Sequence, residues 1–328
     1  MRLIWTKSFS VSALHAAACC CRFSKQVTDR TVYERLSTPA ESLGTCLQDI
    51  DANRVDVLWD LLLSHAAQLE SNSALAKQVL EDHAGIVASE RGQSVWFVEQ
   101  TEVDPITQRR LTGCITDVEA AFKLMFPKLL EQLEFRIRPL QEQWVGYGGG
   151  FIKQVSKTTD PDALLSELQV FGVQPIIGGA GGSHHQPPSV HIEAVLTNPL
   201  MELPEVCRLA WLSTQVYSTG YRSKLGIKPE VLRRLLPLAM LMPVLSTAQL
   251  LELCRYDRNN DAFQDLIALA IEHWHIAIPR HMDLANELVP LLVDWWTQSI
   301  ASAKSAGSDG GWSRSLEELA HRLGLNPV

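Results

Sequence analysis

The chain has 328 residues, 46% hydrophobic and 20% charged, with a formal net charge of -8 and an isoelectric point near 5.7. That balance is ordinary globular usage and excludes an intrinsically disordered or collagen-like chain. An acidic chain with no Lys/Arg-dense run also excludes nucleic acid as the main partner, because neutralising phosphates takes a basic face.

The first 28 residues carry Arg2, Lys7, Arg22 and Lys25 and no acid before Asp29. Their Ser, Ala and Cys content, with an apolar run from Phe9 to Cys21, reads as a disordered or targeting-like extension apart from the folded body. Helical spacing begins with Val55, Leu58, Trp59, Leu62 and Leu63, and a second helix follows from Ser73 to Glu90. Ser94–Thr101 reads as a strand built on Val95, Trp96, Phe97 and Val98. Asp104-Pro105 opens a polar turn, and Thr116 with Glu119 forms a capping box for the next helix. Pro127 should kink that helix and Pro139 break it, leaving one more turn before Gly146.

Asp160-Pro161 is a helix start, and that helix is expected to end at Gly172. Val173–Ile177 and Ser189–Leu196 are the next strands, joined by a glycine-rich loop expected to be exposed and mobile. Beyond Pro204 the spacing predicts helices at 204–218, 229–245, 247–256, 262–275, 282–304 and 314–323, with a linker at 306–311. Leu235–Leu245, interrupted by Pro237 and Pro243, has about half the roughly 20 residues that cross a bilayer, so no membrane span is expected. The expected fold is α+β and predominantly helical, a large helical body holding a small sheet of three or four strands. Its expected division is an extension at 1–28, an α+β domain at 29–220 and a helical region at 221–328 packed on it.

Seven cysteines, three of them consecutive at Cys19–Cys21 and none in a CxxC, form neither a disulfide framework nor a structural zinc motif. They predict reduced, mostly buried thiols in a cytoplasmic protein.

The centre of the chain is compositionally unusual. It runs through Arg136-Ile137-Arg138-Pro139, Glu142-Gln143-Trp144, Gly146-Tyr147-Gly148-Gly149-Gly150, Gly178-Gly179-Ala180-Gly181-Gly182-Ser183-His184-His185 and Val190-His191-Ile192-Glu193. Over residues 94–220 the pattern resembles an uncharacterised bacterial protein family, and the resemblance implies a shared fold and no particular activity.

Gly148, Gly149, Gly178, Gly179, Gly181, Gly182, His184 and His185 are the candidate ligand-binding residues. A phosphate loop would need a strand, a glycine turn and a helix N-terminus, whereas His184-His185-Gln186-Pro187-Pro188 leads into another strand. The glycines therefore read as a hairpin connection rather than a nucleotide site. In a strand, alternate residues share a face, so His191 and Glu193 point the same way and could ligate a metal if a third ligand arrived. No HExxH is present, and the helix Glu205-Val206-Cys207-Arg208-Leu209-Ala210-Trp211 has no histidine pair where a zinc metallopeptidase would carry one. No metal and no cofactor are expected.

Glu193 sits among Val190, Ile192, Val195 and Leu196, so its carboxylate must be paired or neutral. An ion pair with Arg136, Arg138 or Arg208 is the structural reading; an acid or base working with His191, Arg138 and Glu142 is the functional one. The function expected is a binding or interaction scaffold for a protein partner or small molecule, with a hydrolase using Glu193 as the alternative.

Overall fold

A computed structural model describes residues 1–90, 103–254, 260–305 and 311–325. The chain starts inside the sheet. Arg2–Lys7 forms strand β1, and Ser8 caps helix α1 (Phe9–Arg22) by accepting from the Val11 amide. Every residue of α1 from Val11 to Cys20 is buried. Residues 1–28 are thus part of the fold and not an extension apart from it. A helix covered on all sides needs no polar face, so it lacks the periodicity by which a surface helix is recognised.

Asp29 caps α2 (Arg30–Asp51), and α3 (Val55–His65) and α4 (Asn72–Glu90) follow. The strand expected at Ser94–Thr101 lies outside the described residues, as does most of the linker at 306–311. Asp104 is not a turn but the cap of α5 (Pro105–Met125), accepting from the Ile106 and Thr107 amides with Pro105 in the first turn. Thr116 sits mid-helix, its hydroxyl bonded to the Thr112 carbonyl. Pro127 falls in the break between α5 and α6 (Leu129–Thr158).

Helix α6 runs through Pro139 and through Gly146 without ending. Leu133, Ile137, Leu140, Trp144, Phe151 and Val155 form its buried stripe, which spans the proline and holds both halves in place. Gly148 and Gly149 are therefore helical residues, not part of a ligand loop.

Asp160-Pro161 begins only a short turn, and the helix expected up to Gly172 is instead strand β2 (Glu167–Val173). Strands β3 (Gly181–His185) and β4 (Pro188–Glu193) complete one mixed sheet of order β1-β2-β4-β3. Strands β1, β2 and β4 are parallel, and β3 runs antiparallel to β4, pairing Gly182 with His191. Period-two alternation divides the sheet's side chains. Leu168, Val170, Val190 and Ile192 enter one apolar cluster with the C-terminal helices; Phe171, Val173 and Ala194 enter another with α1 to α5. In α6, Ile137 belongs to the cluster of α1 to α5, and Leu140, Trp144, Phe151 and Val155 belong to the cluster of the C-terminal helices.

The remaining α-helices are α7 (Glu205–Thr214), α8 (Thr219–Leu225), α9 (Pro229–Ala239), α10 (Leu241–Leu250), α11 (Asn260–His273), α12 (Val289–Ser305) and α13 (Gly311–Arg322), with a π-helical turn at Leu284–Leu288 leading into α12. The fold is α+β and mostly helical. Among the described residues only Pro229–Leu250 is long and apolar enough to cross a membrane, and its apolar window is 78% buried inside the fold, as in a core helix.

Candidate functional site: a buried carboxylate and its histidines

The polar centre of the molecule lies between the sheet and the N-terminal helices. Glu193 closes β4 with its side chain fully buried. After β2 the chain turns through Ile176 to Ala180 with its amides aimed inward, Gly178 supplying the turn at φ +85°. Ile176 and Ile177 donate to Glu193 Oε1 at 2.8 and 3.0 Å; Gly178, Gly179 and Ala180 donate to Oε2 at 2.7, 2.8 and 3.2 Å. Successive amides turned toward one point form an anion-binding concavity. The glycine loop does cradle an anion, and that anion is the protein's own carboxylate.

His15 of α1 adds a sixth donor, with Nε2 at 3.0 Å from Oε1. An ionised carboxylate only accepts, so this nitrogen carries the proton. Burial pushes the Glu193 carboxyl up, but the His15 hydrogen bond and charge and the Ile177 and Ile176 amides outweigh it and hold it at about 2. The pairing with an arginine does not form at the carboxylate. Arg208 is buried against Glu205 and donates to the main-chain carbonyls of Ala180 and Glu193, so it braces the cradle from behind. Arg138 instead pairs with Glu142 at 2.9 Å on the exposed face of α6.

His191, two residues before Glu193, shares its face as strand periodicity requires, and its ring centroid lies 5.0 Å from that of His15. On its other side His191 Nδ1 is 2.8 Å from Nε2 of His184, whose Nδ1 lies 2.5 Å from Asp60 Oδ1 on α3. Asp60 accepts only, so His184 Nδ1 carries a proton, and the second bond shares a single proton between the two rings. Burial pushes His191 well below the usual histidine value. The result is a row of polar groups, Asp60, His184, His191, His15 and Glu193, held between α1, α3 and the sheet, buried except at Asp60, which also faces Arg233 at 3.6 Å.

The segment expected to be an exposed loop is thus strand and cradle. Gly181 and Gly182 belong to β3, and a Cβ at Gly182 would lie 2.6 Å from the His191 ring, so glycine is what lets β3 pass over that histidine. Gly178 and Gly179 spend their amides on Glu193 rather than on a ligand. His184 is buried, and His185 is half-buried and pushed down to about 4 by burial, with Arg222 adding to the shift. His15, Cys19 and Asp60 are the members that sequence reasoning missed. The four-residue spacing of His15 and Cys19, polar groups in an Ala-rich buried run, was the available signal.

Chemically the cluster is closed. Six donors occupy the carboxylate, which takes up a proton only near pH 2, so it is not poised as a base at neutral pH. Burial and the charge of Glu193 push the Cys19 thiol well above its usual value, so it is not a thiolate nucleophile. An open cavity of about 610 Å³ lies elsewhere, between the start of α1, the end of α5 and the start of α6, lined by Phe9, Ala120, Phe126, Leu129, Leu130 and the stem of Lys123. No family model, curated protein or solved structure matches the chain.

Proposed function

We propose that the protein works by binding rather than by catalysis, as a scaffold that takes an apolar small molecule in the cavity beside Phe9. The observation that carries this reading is the complete internal occupation of the Glu193 carboxylate. A volume of about 610 Å³ falls within the roughly 300–1,000 Å³ range of small-molecule sites. The lining is mainly apolar, and one wall offers a specific polar contact. Glu119 lines that wall, its Oε2 accepting from Asn72. The unpaired thiols favour a reducing compartment, and we place the protein in the cytoplasm.

The test is Ala120→Trp, which fills the cavity from an exposed position on α5. Binding of a fluorescent apolar probe should weaken about tenfold or more while the melting temperature holds. Unchanged probe binding in the folded variant would overturn the assignment.

A further inference from the structure

His15 and Cys19 stand four residues apart on α1, so their side chains leave the same face of the helix. Glu193 meets them from the end of β4. His15 Nε2, Cys19 Sγ and a Glu193 carboxylate oxygen all lie within 4.8 Å of one another, and all three side chains are buried. Imidazole, thiolate and carboxylate are the three side-chain ligand types of zinc.

We infer that His15, Cys19 and Glu193 form a binding site for a zinc-type divalent transition ion, with Nε2, Sγ and Oε1 as its ligand atoms. Cys19 Sγ lies 3.5 Å from His15 Nε2 and 4.0 Å from Nδ1, so the sulfur stands beside the ring and comes onto the Nε2 lone pair by rotation of the Cys19 side chain; with Zn–N near 2.0 Å and Zn–S near 2.3 Å, a tetrahedral angle then keeps about the same Sγ–Nε2 separation. With Zn–O also near 2.0 Å, the 3.0 Å between Nε2 and Oε1 corresponds to about 97°, which a few tenths of an ångström would open to tetrahedral. The ion takes the place of the proton now held between His15 and Glu193. The five amides keep their bonds to the carboxylate and act as the outer shell that fixes a ligating group. Cys19 releases its thiol proton to solvent, and the proton on His15 Nε2 moves to Nδ1, leaving a neutral imidazole with Nε2 free to ligate. The two anionic ligands then cancel the charge of the dication, so a closed apolar setting gains no net charge. Three protein ligands leave one tetrahedral position for a small exogenous ligand such as water.

Charge and donor type argue against a magnesium or calcium site, since those ions take oxygen ligands and avoid sulfur. Ligation takes the thiolate, so metal and proton compete for the sulfur and affinity rises with pH. The site is independent of the cavity beside Phe9, and loss of ligand binding there would leave it untouched.

The experiment uses the full chain, purified reduced, stripped with a chelator and titrated with Co²⁺. The expected result is one equivalent bound, with the visible bands of tetrahedral cobalt and a thiolate-to-cobalt charge-transfer band, both abolished by Zn²⁺. Cys19→Ala and Cys19→Ser should lose the charge-transfer band, and His15→Gln should weaken binding about tenfold or more. Cys20→Ala, whose thiol belongs to the same run, should behave as wild type. Zinc should raise the melting temperature of wild type and of Cys20→Ala but not of the Cys19 variants. A folded wild-type protein that shows no charge-transfer band would overturn the inference. So would a band that survives in either folded Cys19 variant.

Discussion

Glu193→Gln replaces one oxygen by an NH₂ group, and the geometry of the cradle says what that does. Each carboxylate oxygen accepts three bonds, Oε1 from Ile176, Ile177 and His15, Oε2 from Gly178, Gly179 and Ala180. An amide can keep only one of these corners. If its carbonyl stays with the glycine amides, its NH₂ faces His15, which can accept by shifting its proton, and the amides of Ile176 and Ile177, which cannot. Two buried donors are left unpaired at about 1–3 kcal/mol each, so the variant should lose about 4 kcal/mol. Glu193→Ala strands all six donors and opens a cavity. Its cost approaches the roughly 5–15 kcal/mol that holds a whole protein together, even with a water admitted, so it should not fold. Urea unfolding of wild type, Glu193→Gln and Glu142→Gln measures this directly. The last variant changes an exposed carboxylate and should stay within about 0.5 kcal/mol of wild type. A loss below about 1 kcal/mol for Glu193→Gln would refute the reasoning, because the amides would then have other partners.

Acid should act in two windows. His185 titrates at about 4 and His191 well below the ordinary 6.5, so the unfolded chain takes up their protons first and stability falls as pH drops from about 6.5 toward about 4. Glu193, at about 2 against 4.5, then contributes roughly 3 kcal/mol that is present above about pH 4.5 and lost between 4.5 and 2. Urea midpoints that stay level from about pH 7 to about pH 4 would contradict the burial of these groups. Deleting residues 1–22 removes an edge strand and a core helix, so the truncated chain should lose its cooperative thermal transition; retention of that transition would show that α1 is dispensable. Gly182→Ala presses a methyl onto His191 and should cost about 1–3 kcal/mol by denaturant unfolding; a neutral effect would place β3 farther from that ring.

Several helices beyond Pro204 are legible because they show a one-sided apolar stripe. In α9, Val231, Leu232, Leu235 and Leu236 recur at helical spacing and are buried. The common face of His191 and Glu193 is legible from the period of a strand alone. Helix α1 is not, because burial on every side erases the pattern that marks a helix, and setting it aside hid His15 and Cys19. Helix α6 reads as broken because local rules penalise Pro139 and the glycines, while the packing of Leu140, Trp144 and Phe151 overrides them. Strand β2 reads as helix because it is covered on both faces and so has no polar alternation. The cradle is illegible for a different reason. Its donors are main-chain amides, which every residue but proline carries, so side-chain identity records only the glycine that permits the turn.

The account rests on the amides of residues 176–180 being spent on Glu193, and amide hydrogen exchange reads those groups one by one. Gly178, Gly179 and Ala180 should exchange as slowly as Val190 and Ile192 in the adjoining strand, and Glu193→Gln should speed them selectively in the folded protein. Exchange of these glycine amides at the rate of exposed loop residues would contradict it, since a carboxylate that holds them cannot leave them open to water.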